Sequence, residues 1–161
     1  LVLNTGAAGS LSDSLKIGDI AIAKAVVQHD MDTTALGDSP GFISGLEIIE
    51  ISCDKKAVEN FVESVEELEN TDFEVGVIAS GDKFVSNDDE KNRIKNTFGA
   101  IACEMEGGSI GQVCYSSGVP FAIIRAVSDC ADGSSHMDYT EFLPLAAANA
   151  AKILSFMVKI A

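Results

Sequence analysis

Two short stretches concentrate the side chains that could do chemistry. Cys103-Glu104-Met105-Glu106-Gly107 and Ile124-Arg125-Ala126-Val127-Ser128-Asp129 each set a carboxylate where an apolar run stops, with what reads as one helix between them. In an open α/β sheet the carboxyl ends of strands face the ligand crevice, so Glu106 and Asp129 are the leading candidates. A pair of this kind can divide its roles. One acid, kept protonated by burial and neighbouring carboxylates, gives a proton to a leaving group, a contribution of ~10²- to 10⁴-fold. The other stays ionised, accepts hydrogen bonds and faces developing positive charge. Each also has an ordinary reading. Glu104 and Glu106 suit the first turn of the following helix, where the macrodipole favours acids by ~0.3 to 1 kcal/mol, and Ser128-Asp129 suits a cap or turn.

The elements that must hold these residues alternate between strand and helix. Leu1 to Leu3 is an apolar run stopped by Asn4-Thr5-Gly6-Ala7-Ala8-Gly9-Ser10, and Ile20 to Val27 is a longer one. Both read as strands. Lys55 to Glu69 carries Val58, Phe61, Val62, Val65 and Leu68 at helical spacing behind Asp54 as N-cap. Glu74 to Ala79 reads as strand. Asn87 with Glu90 has the form of a capping box, and Ile94 and Phe98 give that helix its apolar stripe. Ala100 to Cys103 is strand, Met105 to about Ser117 helix, ended by Gly118 with Pro120 beyond, and Phe121 to Val127 a buried strand. Pro144, at a first-turn position, opens a last helix with Leu145, Ala148, Ile153, Phe156, Met157 and Ile160 on one face. The pattern predicts one α/β domain over residues 1–161, a mainly parallel sheet with helices on both sides.

Composition narrows the class. The 161 residues are 47% apolar and 22% charged, as in ordinary globular proteins. A net charge of −14, with 11 Lys plus Arg against 25 Asp plus Glu, argues against a nucleic-acid partner. Only Arg93 and Arg125 are arginines, whereas a tightly held phosphate usually wants several convergent cations, so water is favoured as second reactant. No apolar run approaches the ~18 to 20 residues of a membrane span. Cys53, Cys103, Cys114 and Cys130 form no CxxC pair, and His29 and His136 share no ligand spacing, so no metal or other cofactor is expected. Scattered thiols in apolar settings read as core residues of a reduced, cytoplasmic protein. Residue 1 is not Met and falls directly in an apolar run, which reads as a chain beginning inside a fold.

The segments Asn4-Thr5-Gly6-Ala7-Ala8-Gly9, Ser80-Gly81-Asp82-Lys83-Phe84-Val85, Cys103-Glu104-Met105-Glu106 and Arg125-Ala126-Val127-Ser128-Asp129, in this order, resemble the 5'-methylthioadenosine/S-adenosylhomocysteine nucleosidases. The resemblance covers essentially the whole chain and implies the later two thirds of a member. It implies a nucleoside phosphorylase-like, three-layer fold with a mixed, mainly parallel central sheet, truncated at its N-terminus. It further implies hydrolysis of an N-glycosidic bond through an oxocarbenium-like transition state, releasing adenine from a 5'-thio-ribose, the electronic problem that glycosidases also meet.

On this resemblance Asp129, with Ser128 beside it, is the catalytic acid that protonates adenine N7. Glu106 grips the ribose 2' and 3' hydroxyls. Phe84 stacks on adenine, the Val85 backbone meets the base edge, and Met105 and Tyr139 line the sugar and 5'-thio pocket. Arg125 and the Ala7-Ala8-Gly9 stretch match positions around the nucleophilic water. Residues around Thr33 to Pro40, including Leu36, match a loop that completes the neighbouring subunit's pocket in a homodimer. Three departures stand out: Tyr139 where Phe is common, Leu36 where an aromatic is common, and Ala7 where Ser is common. The family's water-activating glutamate falls in a segment this sequence lacks, so the 161 residues alone are expected to be weakly active or inactive. The rivals are a purine nucleoside phosphorylase and a non-catalytic, adenine-binding or dimerising remnant.

Overall fold

The computed structural model describes residues 1–68, 71–132 and 135–160, except for the side chains at 135–138, 146 and 156–160. The strands are β1 (Val2–Ser10), β2 (Ile20–Gln28), β3 (Glu50–Ser52), β4 (Phe73–Ser80), β5 (Ala100–Glu104) and β6 (Phe121–Asp129). The helices are α1 (Lys55–Glu66), α2 (Asp88–Phe98), α3 (Gly107–Ser116) and α4 (Ser135–Ile160). Thr34–Leu36 forms one 3-10 turn.

The sheet runs β3-β2-β4-β5-β1-β6, and β6 also pairs with β2. Five strands therefore close on themselves, with β3 added outside β2. This corrects the open sheet expected from sequence. Pairings β1–β6, β2–β4 and β4–β5 are parallel, whereas β1–β5, β2–β6 and β2–β3 are antiparallel, so the sheet is mixed. Closure explains why β6 is buried along its whole length. Alternate residues face opposite sides of a strand. Phe121, Ile123 and Val127 join an inner cluster with Ala21, Ala23, Val26, Ile78 and Ala102. Ala122, Ile124 and Ala126 pack outward against Ala57, Phe61 and Val65 of α1 and Ile153 of α4. Ile94 of α2 covers Val27, Val77, Ala79 and Ala100. Arg125, by its parity, belongs to the inner side.

Local chemistry sets the helix starts. Asp54 accepts the Ala57 N–H at 2.9 Å, and Asn87 accepts the Glu90 N–H at 2.9 Å. Only the Asn87 half of the capping box forms, because the Glu90 carboxylate turns to Arg93 at 2.8 Å. Gly99, at φ 60°, ends α2 in the left-handed conformation that glycine adopts without strain.

Two boundaries differ from the sequence reading. β1 does not stop at Leu3 but continues through Asn4-Thr5-Gly6-Ala7-Ala8-Gly9-Ser10, because parallel pairing with β6 from Val2 to Gly9 overrides the low strand propensity of these small residues. Pro144 lies inside α4 and not in its first turn. A mid-helix proline costs ~3 kcal/mol, and contacts on both flanks offset it: Tyr139 and Leu143 line a cavity before it, and Ala150 and Ile153 are buried after it. The expected end of α1 at Glu69 and the side chains of His136, Phe156, Met157 and Ile160 lie outside the described residues. Among the described residues no helix is long and apolar enough to cross a membrane.

Candidate active site

A cavity of about 320 Å³ opens where β1, β5 and β6 converge, bounded by Asn4 to Gly9, Phe84, Cys103 to Glu106, Arg125, Ser128, Asp129, Tyr139 and Leu143. Its floor is a buried ion pair. Arg125 and Glu104, with side chains 3% and 1% exposed, are joined through Nη2 and Oε2, and Asn4 Oδ1 accepts from the same nitrogen. The strand register sets Gly6 directly opposite Arg125, and a Cβ at Gly6 would collide with Nη1. The glycine is thus the space in which the guanidinium lies.

Glu104 also ties three elements together. Its Oε1 accepts the Ser80 hydroxyl and the Gly107 N–H at 3.0 Å, and its Oε2 accepts the N–H groups of Gly107 at 2.8 Å and Glu106 at 3.2 Å. Ser80 Oγ in turn accepts the Gly108 N–H at 2.6 Å. The first amides of α3 thereby find acceptors, satisfying groups that a helix N-terminus otherwise leaves open. Glu106 behaves differently. It occupies the N-cap position of α3 without a capping bond, its side chain is 60% exposed, and its Oε2 lies 3.3 Å from Arg125. Contrary to the first-turn reading, neither acid lies in the first turn of α3: Glu104 ends β5 and reaches the helix's first amides from outside it, and Glu106 is left facing the cavity.

Asp129 ends β6 and is 2% exposed. A register shift between Ala8 and Gly9 inserts Ser128 as an extra residue, and such bulges re-aim neighbouring side chains. Asp129 Oδ2 accepts the Ser128 hydroxyl at 2.9 Å, and Oδ1 accepts the Ala131 N–H at 2.9 Å. Ala131 is fully buried at φ 52°, a conformation unusual for a residue with a Cβ. Gly9 leaves the room this turn needs, since a Cβ there would stand 2.8 Å from Asp129 Oδ1 and 3.0 Å from Ala131 Cβ. Beside it, burial and the nearby Asp129 and Glu104 carboxylates push the Cys103 thiol up to about 12, so it remains a thiol and not a nucleophilic thiolate.

At the outer rim Phe84 and Tyr139 meet edge to face, centroids 5.7 Å apart at 76°. Of the residues singled out from sequence, Ala7, Ala8, Gly9, Phe84, Met105, Glu106, Arg125, Ser128, Asp129 and Tyr139 line the cavity. Val85 is buried just behind, in a small adjoining hollow. Thr33, Leu36 and Pro40 lie on a surface segment outside the cavity lining, with Leu36 83% exposed. Sequence reasoning passed over Asn4, Glu104 and Ser80 as site residues. The available signal was Glu104's position as the last residue of an otherwise apolar strand.

The closed mixed sheet with this cavity is that of a known class: residues 1–159 match the family model described as the phosphorylase superfamily. A nucleosidase from Glaesserella parasuis is 40% identical, over 98% of this chain and 68% of its own length. The Neisseria meningitidis nucleosidase crystallised with methylthio-immucillin-A superposes with a TM-score of 0.94 at 38% identity, over 99% of this chain and 69% of that one. A Helicobacter pylori futalosine hydrolase superposes equally well, TM-score 0.94 at 39% identity, over 99% and 68%. The chain belongs to the 5'-methylthioadenosine/S-adenosylhomocysteine nucleosidase family of that superfamily.

Proposed function

We propose that the protein hydrolyses the N-glycosidic bond of 5'-methylthioadenosine and S-adenosylhomocysteine, releasing adenine and the 5'-thio-ribose. The observation that carries this reading is the state of Arg125. It is the one arginine among the cavity's lining residues, and its Nη2 is already engaged by Glu104, Asn4 and Glu106. A phosphorylase needs cations turned toward phosphate, whereas here the guanidinium is neutralised by carboxylates. Water fits such a site better as the second reactant.

In the proposed mechanism Asp129 gives its proton to adenine N7 as the C1'–N9 bond breaks. Adenine then leaves neutral, the oxocarbenium-like sugar is trapped by water, and water's oxygen ends on C1' while its released proton passes to solvent, from which the Asp129 carboxylate is reprotonated. Burial, the Ser128 hydroxyl and the Ala131 N–H fix the acid's orientation, which keeps the proton on the line of transfer. Glu106, exposed in the cavity and held near Arg125, accepts the ribose hydroxyls and faces the positive charge that develops on the ring. Glu104 is committed to Arg125 and α3, so it is not available to activate water. Phe84 stacks on the base, Val85 offers its backbone to the base edge, and Tyr139 and Met105 border the 5' substituent. The 83% exposure of Leu36 supports a homodimer in which Thr33, Leu36 and Pro40 complete a neighbour's pocket.

Adenine release from 5'-methylthioadenosine, assayed with and without phosphate, tests the reading. Release at a rate indifferent to phosphate is expected. Release that requires phosphate and yields a ribose 1-phosphate would mean phosphorolysis, and adenine binding without turnover would mean a non-catalytic adenine-binding protein.

A further inference from the structure

We propose that His29 and Asp30, the two residues just past β2, are positioning residues for nucleoside binding, because they clasp the Gly81–Val85 segment that delivers Phe84 to the cavity. The clasp rests on the function proposed above for its role, but its geometry stands by itself. The His29 N–H donates to the Ser80 carbonyl at 2.8 Å, and the Asp82 N–H donates to Asp30 Oδ2 at 2.7 Å. The Asp30 carboxylate is held in turn, since its Oδ1 accepts Gln28 Nε2 at 2.6 Å, and Gln28 Oε1 accepts Gln112 Nε2 of α3 at 3.3 Å. On the other flank the Gly81 N–H donates to the Glu104 carbonyl at 3.2 Å. Two consecutive amides, Gly81 and Asp82, are thus anchored two to three residues before Phe84.

The packing is as specific as the bonding. A Cβ at Gly81 would collide with His29 Nε2 and stand 2.7 Å from Cε1 and 3.0 Å from Asp30 Cγ, so the segment packs directly against the imidazole. His29 is 3% exposed, its Nε2 is buried without a hydrogen-bond partner among the described residues, and its Nδ1 lies 3.4 Å from Arg93 Nη2. An unsatisfied buried nitrogen carries a desolvation cost that an apolar residue there would avoid. The ring is better understood as the shaped wall against which Gly81 seats. Phe84 itself is 41% exposed and meets Tyr139 edge to face, so its placement rests heavily on the backbone that carries it. A base-stacking ring held in place before binding spares the ordering cost that a loose one would impose.

Asp30→Ala tests the clasp, with Asp30→Asn, which keeps an acceptor oxygen, as the conservative control. Amide hydrogen exchange at Asp82 to Val85 is expected to rise about tenfold in Asp30→Ala, and the adenine Kd and the KM for 5'-methylthioadenosine to rise by about the same factor, as for losing one hydrogen bond to a charged group. Asp30→Asn should recover most of each effect. Gly81→Ala, acting from the opposite side, should raise the same exchange rates. A folded Asp30→Ala with unchanged exchange in this segment and unchanged adenine Kd would overturn the proposal. If the unaltered protein binds no adenine, the functional reading fails, and the exchange measurement still decides the clasp.

Discussion

Glu104 and Glu106 differ by two positions and by nothing in chemistry, yet their surroundings predict opposite consequences for removing each charge. In Glu104→Gln, Arg125 stays buried at 3% exposure and keeps only Asn4 and the more distant Glu106 as partners. Breaking a buried pair from one side costs ~3 to 5 kcal/mol. The amide still offers one oxygen to the Gly107 N–H, but its NH₂ must face the guanidinium or the Ser80 hydroxyl, so little of that cost is recovered. At ~2 to 4 °C per kcal/mol for a domain of this size, the melting temperature should fall by about 6 to 20 °C. Glu106→Gln removes a carboxylate that is 60% exposed, where an ion pair is worth ~0 to 1 kcal/mol, and should lower the melting temperature by less than about 4 °C. Binding should rank the other way, with Glu106→Gln weakening a ribose-bearing 5'-thio-nucleoside and leaving free adenine nearly unaffected. Thermal unfolding followed by circular dichroism, with calorimetric titration of both ligands, reads the two effects separately. A Glu104→Gln protein melting within about 2 °C of the parent would refute the division of labour.

Two further outcomes follow from the same geometry. Asp129→Asn keeps the acceptor for the Ala131 N–H but cannot supply the proton, so adenine release should fall by ~10²- to 10⁴-fold while adenine still binds, measured by product chromatography and titration. Burial, followed by Arg93, lowers the pKa of His29 below its usual 6.5, although Asp30 and Glu90 act against it. The unfolded chain therefore takes up a proton before the folded one as pH falls, and stability is full above the ordinary value and declines below it, down to the folded pKa. The melting temperature should drop as pH falls below about 6.5, and His29→Gln should flatten that part of the profile.

How far these features could be read from sequence varies by element. Asp129 was visible because an acid ending a largely apolar strand has few structural uses, and α1 and α2 because Asp54 and Asn87 cap strongly periodic stretches. The full length of β1 was hidden. Its glycines carry turn-like propensities, and what requires Gly6 and Gly9 is the close approach of Arg125 and Asp129, more than a hundred positions away. Closure of the sheet was hidden for a similar cause, since the β2–β6 pairing joins Ile20 to Ala126 and leaves no local signature. Glu106 was singled out, but the buried anchoring role of Glu104 was not, because burial depends on where β5 ends and α3 begins. Pro144 misled because a proline inside a helix is rarer than one opening it.

The ring of strands also bears on how the protein comes to exist. β1 and β2, near the start of the chain, complete their pairing only with β6, so the ring closes through contacts spanning more than a hundred residues. Contacts of such long sequence separation form slowly, because loop-closure entropy must be overcome before they contribute. Arg125 and Asp129 sit on that last strand, opposite Gly6 and Gly9 of β1. The catalytic cavity therefore has no partial form. It is complete only once the ring shuts, and under the function proposed above a bound purine would stabilise that shut state as its latch.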